Sequence, residues 1–203
     1  MYLSSKIVKR LKPIIFISFL IPSVLWFYQF INNNLGVNPI DKLMDKLGEF
    51  TLQLLIFTLI VSDLSKFKSL RSLQLLRRMI GLFAFYYVAI HLLTYVFLDH
   101  FFNFSFIIKD IIKRPFITFG FFGFLLLLPL VFTSTKKMLQ KLTFKIWKRI
   151  HYLIYVVILL GILHFYLLTK ADKTEPLIYL FIVFVLFSLR IVRKFINPQV
   201  DQF

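Results

Sequence analysis

Apolar residues in this chain gather into long continuous runs, with neither the alternation of a half-buried strand nor the narrow stripe of a soluble amphipathic helix. Six such segments, roughly 13–31, 48–64, 79–98, 115–133, 150–169 and 176–192, each approach the length at which a helix crosses about 30 Å of hydrocarbon. The pattern predicts an all-α integral membrane protein, a single six-helix transmembrane domain spanning 1–203. The second segment is the weakest, because Glu49, Gln53 and Asp63 lie at or near its ends. The first follows Lys6, Lys9, Arg10 and Lys12 as a signal peptide would. Its apolar run is too long for one, however, and no small-x-small cleavage site follows, so a retained anchor is expected. Between the segments, 32–49 reads as a loop with turns at its Gly and Asn-Pro. Phe67, Leu70, Leu73 and Leu76 suit a short surface helix. Ile107, Ile108, Ile111 and Ile112 form one face of a second surface helix, which could dock a partner.

Composition and charge add class and orientation. Hydrophobic residues make up 59%, charged residues 17%, and the mean hydropathy is +0.82. With no cysteine, disulfides, thiolate zinc sites and iron–sulfur clusters are excluded, so any metal is held by nitrogen or oxygen. Placing the N-terminus inside puts 18 of the 25 Lys and Arg on the cytoplasmic side and seven outside, where seven acids balance them. With Asp63 and Asp201 inside, the whole net charge of +16 faces one way, so an N-in, C-in topology is expected. Basic loops beside anionic lipid account for the high pI, and no nucleic-acid-binding motif is present.

Histidine brings chemistry into this apolar background. An ionisable side chain at membrane depth is a functional hypothesis by default, and imidazole is a common iron ligand. His91 lies 13 residues beyond Arg78 in the third segment, and His164 lies 15 beyond Arg149 in the fifth. Both are therefore about 20 Å from the basic edge. Two imidazoles on two helices at one depth suit a flat porphyrin clamped between them with both axial positions filled. His151 differs by about 220° in direction from His164 on a straight helix, so it needs another ligand or partner. His100, beside Asp99, reads as a solvated histidine.

The H-x12-H spacing of His151 and His164 resembles the fifth helix of the ferric-reductase-like transmembrane domain shared by NADPH oxidases and ferric reductases. More narrowly, the chain resembles the MsrQ (YedZ) family. The resemblance rests on LGVNPID after the first helix, RRMIGLFAFYYVAIHLLTY in the third, KRPFITFG entering the fourth, FTSTKKM leaving it and WKRIHYLIYVVILLGILHF in the fifth. It implies haem b on His91 and His164, and possible FMN. It also implies electrons received from the quinol pool or a separate flavin reductase and passed to a periplasmic MsrP-type molybdopterin reductase that repairs methionine sulfoxide, all at the bacterial inner membrane. Oxidases of the wider superfamily carry a further histidine fourteen residues before the outer ligand. Arg77 stands there in this chain, so the inner partner of His151 is missing. Arg77, Arg78 and His151 form an expected cationic inner cluster, suited to a flavin phosphate, haem propionates or an unusually ligated second haem.

The sequence to Phe203 contains no G-x-G-x-x-G and only six glycines, so no nicotinamide-binding domain of its own is expected. Alternatives are a free-standing ferric reductase, another quinol-linked cytochrome b, or a proton-coupled transporter using His91 and His164 as relays. The transporter reading expects repeated broken helices, and Pro22 and Pro129 occupy non-corresponding positions. Gln53, Glu49 and Tyr95 are candidate quinone contacts.

Overall fold

A computed structural model describes residues 4–196; Asp201, assigned to the inner side above, lies outside them. Six helices are long and apolar enough to cross a membrane. Helix α1, Ser5–Ile31, begins eight residues before the first apolar run, because the Ser4 hydroxyl caps the Lys6 amide at 3.3 Å and the basic residues join the helix. Helix α2 is Pro39–Leu64, and here the expected loop is corrected. The turn at Gly36 is real, with φ +94°. Pro39 then starts the helix at the position where a missing N–H costs nothing, and Leu43 and Leu47 are fully buried four residues apart. Asp41, Lys42, Asp45 and Lys46 on the other positions had lowered the apolar signal.

A 3-10 turn, Lys68–Leu73, leads to α3, Gln74–Thr94, which continues as a π-helical turn, Tyr95–Asp99. The surface helix α4 is Phe104–Lys113 and α5 is Pro115–Thr133. Two short helices, α6 (Lys136–Lys141) and α7 (Phe144–His151), are each capped by a threonine hydroxyl. Helix α8, Leu153–Leu168, follows α7 through Tyr152, and α9 is Thr174–Ile196. On α4 the isoleucines divide between the bundle and the outside. Ile107 and Asp110 are buried, whereas Ile108 and Ile112 are exposed.

The bundle is centred on α2. Of its most apolar stretch 56% is buried, against 6% for α1 and 11% for α9. It packs on α3, α8, α1 and α9, so the segment with the weakest apolar signal is the innermost. Polar ties fix the neighbours. Pro22 lies in α1, and one residue on, the Tyr87 hydroxyl enters the helix ladder: it donates to the Phe19 carbonyl at 2.5 Å and accepts from the Ser23 amide at 3.1 Å. Tyr87 is fully buried and sits one turn before His91, so this bond anchors the working stretch of α3. At the basic end, the Arg190 Nε donates to Asp63 Oδ2 at 2.8 Å, its other nitrogens donate to the Tyr155 hydroxyl and the Leu59 carbonyl, and Arg193 donates to Asp63 Oδ1. Arg190 is thus a cross-link between α2, α8 and α9 as well as a basic residue of the interface.

Candidate functional site

His91 on α3 and His164 on α8 come together, their ring centroids 6.2 Å apart and their planes at 88°. Each ring is held from behind. The His91 Nδ1 lies 2.9 Å from the Met44 carbonyl oxygen, and the His164 Nδ1 lies 2.6 Å from the Phe116 carbonyl oxygen. A carbonyl only accepts, so both Nδ1 atoms carry the proton and both neutral rings keep a lone pair at Nε2. That is the tautomer a metal needs, and a carbonyl behind the ring makes the imidazole a better donor.

The two seats share one construction. Met44 precedes Gly48 by four residues on α2, and Phe116 precedes Gly120 by four on α5. In a helix the carbonyl of residue i already accepts from the amide of i+4, and each histidine bonds the same carbonyl with its second lone pair. To reach it the ring must lie over residue i+4. A Cβ on Gly48 would stand 3.2 Å from the His91 Nδ1 and Cε1, and one on Gly120 would stand 2.7 Å from the His164 Nδ1. Only glycine leaves that space free. Sequence reading gave Gly48 no role. Two of only six glycines at the depth of two histidines was the available signal. Gly123 does serve ordinary packing, since its Cβ would meet Leu160 at 3.7 Å.

The donor set therefore fits one iron. A metal–nitrogen bond of about 2 Å and an imidazole radius of about 1.1 Å, counted on both sides, give about 6.2 Å between ring centres. The separation found is the same, and perpendicular ring planes are compatible with a common axis.

The basic end is built differently. The His151 Nδ1 bonds the Trp147 carbonyl of its own helix at 3.1 Å, its ring stacks on the Trp147 indole at 3.9 Å, and its Nε2 lies 3.5 Å from the Ser134 hydroxyl. That hydroxyl donates to the Leu130 carbonyl. Arg77 is partly buried within electrostatic reach of His151, Arg190, Tyr155 and Asp63. Arg78 is exposed and makes no hydrogen bond or ion pair to either among the described residues. His151 and Arg77 are thus brought together, with Arg78 at the rim, and no second imidazole faces His151.

Two further expectations change. His100 is not solvated: its side chain is 12% exposed, and its Nε2 lies 3.5 Å from both Asp99 and Asp110. Its ring packs edge-on against Tyr95 at 4.4 Å. Arg114 and Tyr95 also reach Asp110, so this cluster pins α4 to the end of α3. Among the quinone candidates, Tyr95 is therefore separated from Gln53 and Glu49, which bond to each other and to Tyr179.

Residues 47–162 match the family model described as ferric reductase like transmembrane component. The chain is 48% identical over 145 residues to the "Protein-methionine-sulfoxide reductase heme-binding subunit MsrQ" of Caulobacter vibrioides, covering 71% of this chain and 69% of that protein. With the protein of the same name from Herminiimonas arsenicoxydans the identity is 40% over 183 residues, covering 89% and 84%. The "Magnetosome protein MamZ" of Magnetospirillum gryphiswaldense is 39% identical over 186 residues, 88% of this chain but 28% of its own length.

Proposed function

The chain belongs to the MsrQ family of ferric-reductase-like transmembrane proteins, and on that premise we propose that it is a haem b electron-transfer subunit of the bacterial inner membrane. The reading takes the basic end as cytoplasmic. Electrons are drawn from the quinol pool, or from a separate flavin reductase, and delivered to an MsrP-type molybdopterin reductase in the periplasm. The observation that carries it is the histidine pair: two imidazoles with ring centroids 6.2 Å apart, each oriented by a carbonyl at Nδ1 that leaves Nε2 for a metal.

In this reading His91 and His164 would hold the haem iron through Nε2. Haem b, when bound, supplies reversible one-electron carriage. The protein's part is to fix both ring planes, to raise imidazole basicity through Met44 and Phe116, and to keep water from the ligands with the buried Ile162, Tyr87 and Leu47. His151, Arg77 and Arg78 at the basic end offer cationic and nitrogen contacts for an FMN phosphate or for the propionates or iron of a second haem. Nothing in this arrangement acts on the sulfoxide itself.

The test is the haem content and reduced-minus-oxidised spectrum of the detergent-purified protein, compared with His91→Ala, His164→Ala and His151→Ala. Loss of haem in either of the first two with retention in the third supports the assignment. A colourless wild type that cannot be reconstituted would sink it and bring the transporter reading forward.

A further inference from the structure

Glu49 is a carboxylate at membrane depth that the histidine site does not use. It adjoins Gly48, which lies against His91, so it is level with the pair, and ten residues of α2 precede it. A charge there is costly enough to call for a purpose, yet no cation pairs with it among the described residues. Its partners are the Gln53 Nε2 at 2.8 Å and the Tyr179 hydroxyl at 3.0 Å, and the Gln53 Nε2 also reaches the Tyr179 oxygen at 2.9 Å. Three polar groups from α2 and α9 thus close a triangle on the side of α2 between α1 and α9. Gln53 and Tyr179 border a cleft of about 340 Å³ whose other walls are apolar, among them Phe19, Phe57, Ile60 and Ile182.

We propose that this cleft is the binding site of a lipid-soluble quinone, with the ring head at Gln53, Tyr179 and Glu49 and the tail along Phe57 and Ile60. The occupant must come from hydrocarbon, because the walls are apolar almost throughout. It must be neutral, because a phosphate headgroup would meet a carboxylate with no cation beside it. It must also carry oxygens at its end, since an acyl chain alone would leave the triangle without a use. A quinone ring satisfies all three in both redox states. On entry its carbonyls take over the Gln53 amide and Tyr179 hydroxyl protons now given to Glu49 and within the triangle, and the hydroquinone's O–H groups donate to Glu49 in their place. The volume lies at the lower end of the range for small-molecule sites, enough for the ring and the first part of a tail.

This site deepens the electron-transfer reading by placing the donor one helical turn from the His91 seat, and it can fail separately from it. The test uses the full chain in lipid nanodiscs and measures equilibrium binding of decyl-tailed benzoquinone, with haem per chain and the dithionite-reduced spectrum taken on the same samples. The wild type is expected to bind saturably. Gln53→Leu and Tyr179→Phe should each weaken binding about tenfold, as for loss of a buried hydrogen bond. Ile60→Trp, which fills the apolar end and touches none of the polar groups, should abolish it. Haem content and spectrum should match the wild type throughout. Absence of saturable binding in the wild type, or equal binding in all variants, overturns the proposal and leaves the cleft as a seat for lipid chains. If a polar variant fails to assemble, Ile60→Trp decides the matter. A wild type that binds quinone but contains no haem would uphold this site while ending the electron-transfer reading.

Discussion

The two ends of helices α7 and α8 hold their histidines in opposite ways. His164 leans across to another helix, bonds a carbonyl beside a glycine, and faces a second imidazole. His151 leans back on its own helix, bonds a carbonyl one turn earlier, stacks on an indole, and faces an arginine's field. Both rings have Nδ1 committed to a carbonyl, and the His151 Nε2 has the Ser134 hydroxyl 3.5 Å away. A committed Nδ1 is therefore not enough to make a bis-imidazole site. What separates the ends is whether a second helix brings its own imidazole, and whether a glycine lets that ring come close.

The contrast breaks most sharply at the two histidines proposed to hold haem. His91→Ala or His164→Ala should take haem at this site to zero, measured by pyridine haemochrome per chain, while His151→Ala leaves the bis-imidazole spectrum in place. Next comes the seat. Gly120→Ala drives a methyl to 2.7 Å from the His164 Nδ1 and should lower haem affinity by about ten- to a hundredfold, as lost outer-sphere support does. Gly48→Ala, at 3.2 Å, asks for a shift of only a few tenths of an ångström and should cost several-fold less. A haem titration of the two apo-proteins checks the order, and equal losses would refute the seat argument.

The comparison sharpens at the basic end through Arg77→His, which restores the superfamily's residue opposite His151. A second bis-histidine haem is the expected result, seen as a doubled haem-to-chain ratio. An unchanged ratio would mean that the Arg190–Asp63 cross-link leaves no room for it. That cross-link itself carries stability. Asp63→Asn leaves Arg190 and Arg193 without their carboxylate and should destabilise the fold by about 3–5 kcal/mol, read as a lower midpoint of thermal unfolding in detergent. The smallest effect is expected from His100→Asn. It loosens α4 from Tyr95 and the two aspartates without touching the haem spectrum.

Much of this was legible in the chain. Runs of apolar residues gave six spans, with α5 located to the residue. Counting from Arg78 and Arg149 placed His91 and His164 at one depth, because a helix converts residue number into height at a fixed rise. The same counting hid α2. Its first ten residues carry four charges, which lowered the apolar signal although Leu43 and Leu47 face the core. With the helix start misplaced by nine residues, Glu49 and Gln53 read as end residues, and the triangle with Tyr179 could not be drawn. His100 was misread because Asp99 beside it suggested water, while Asp110, eleven residues on, returns to enclose it.

The sequence by itself determined the solvent, the number of crossings and the height of each ionisable group, since these depend on one helix and its surroundings at a time. Tertiary structure alone decided which helix is central, which carbonyl each imidazole bonds, where a missing Cβ matters and which polar groups close on one another. Those are contacts between helices, set by rotation about each axis as well as by height, and a residue count fixes the height alone.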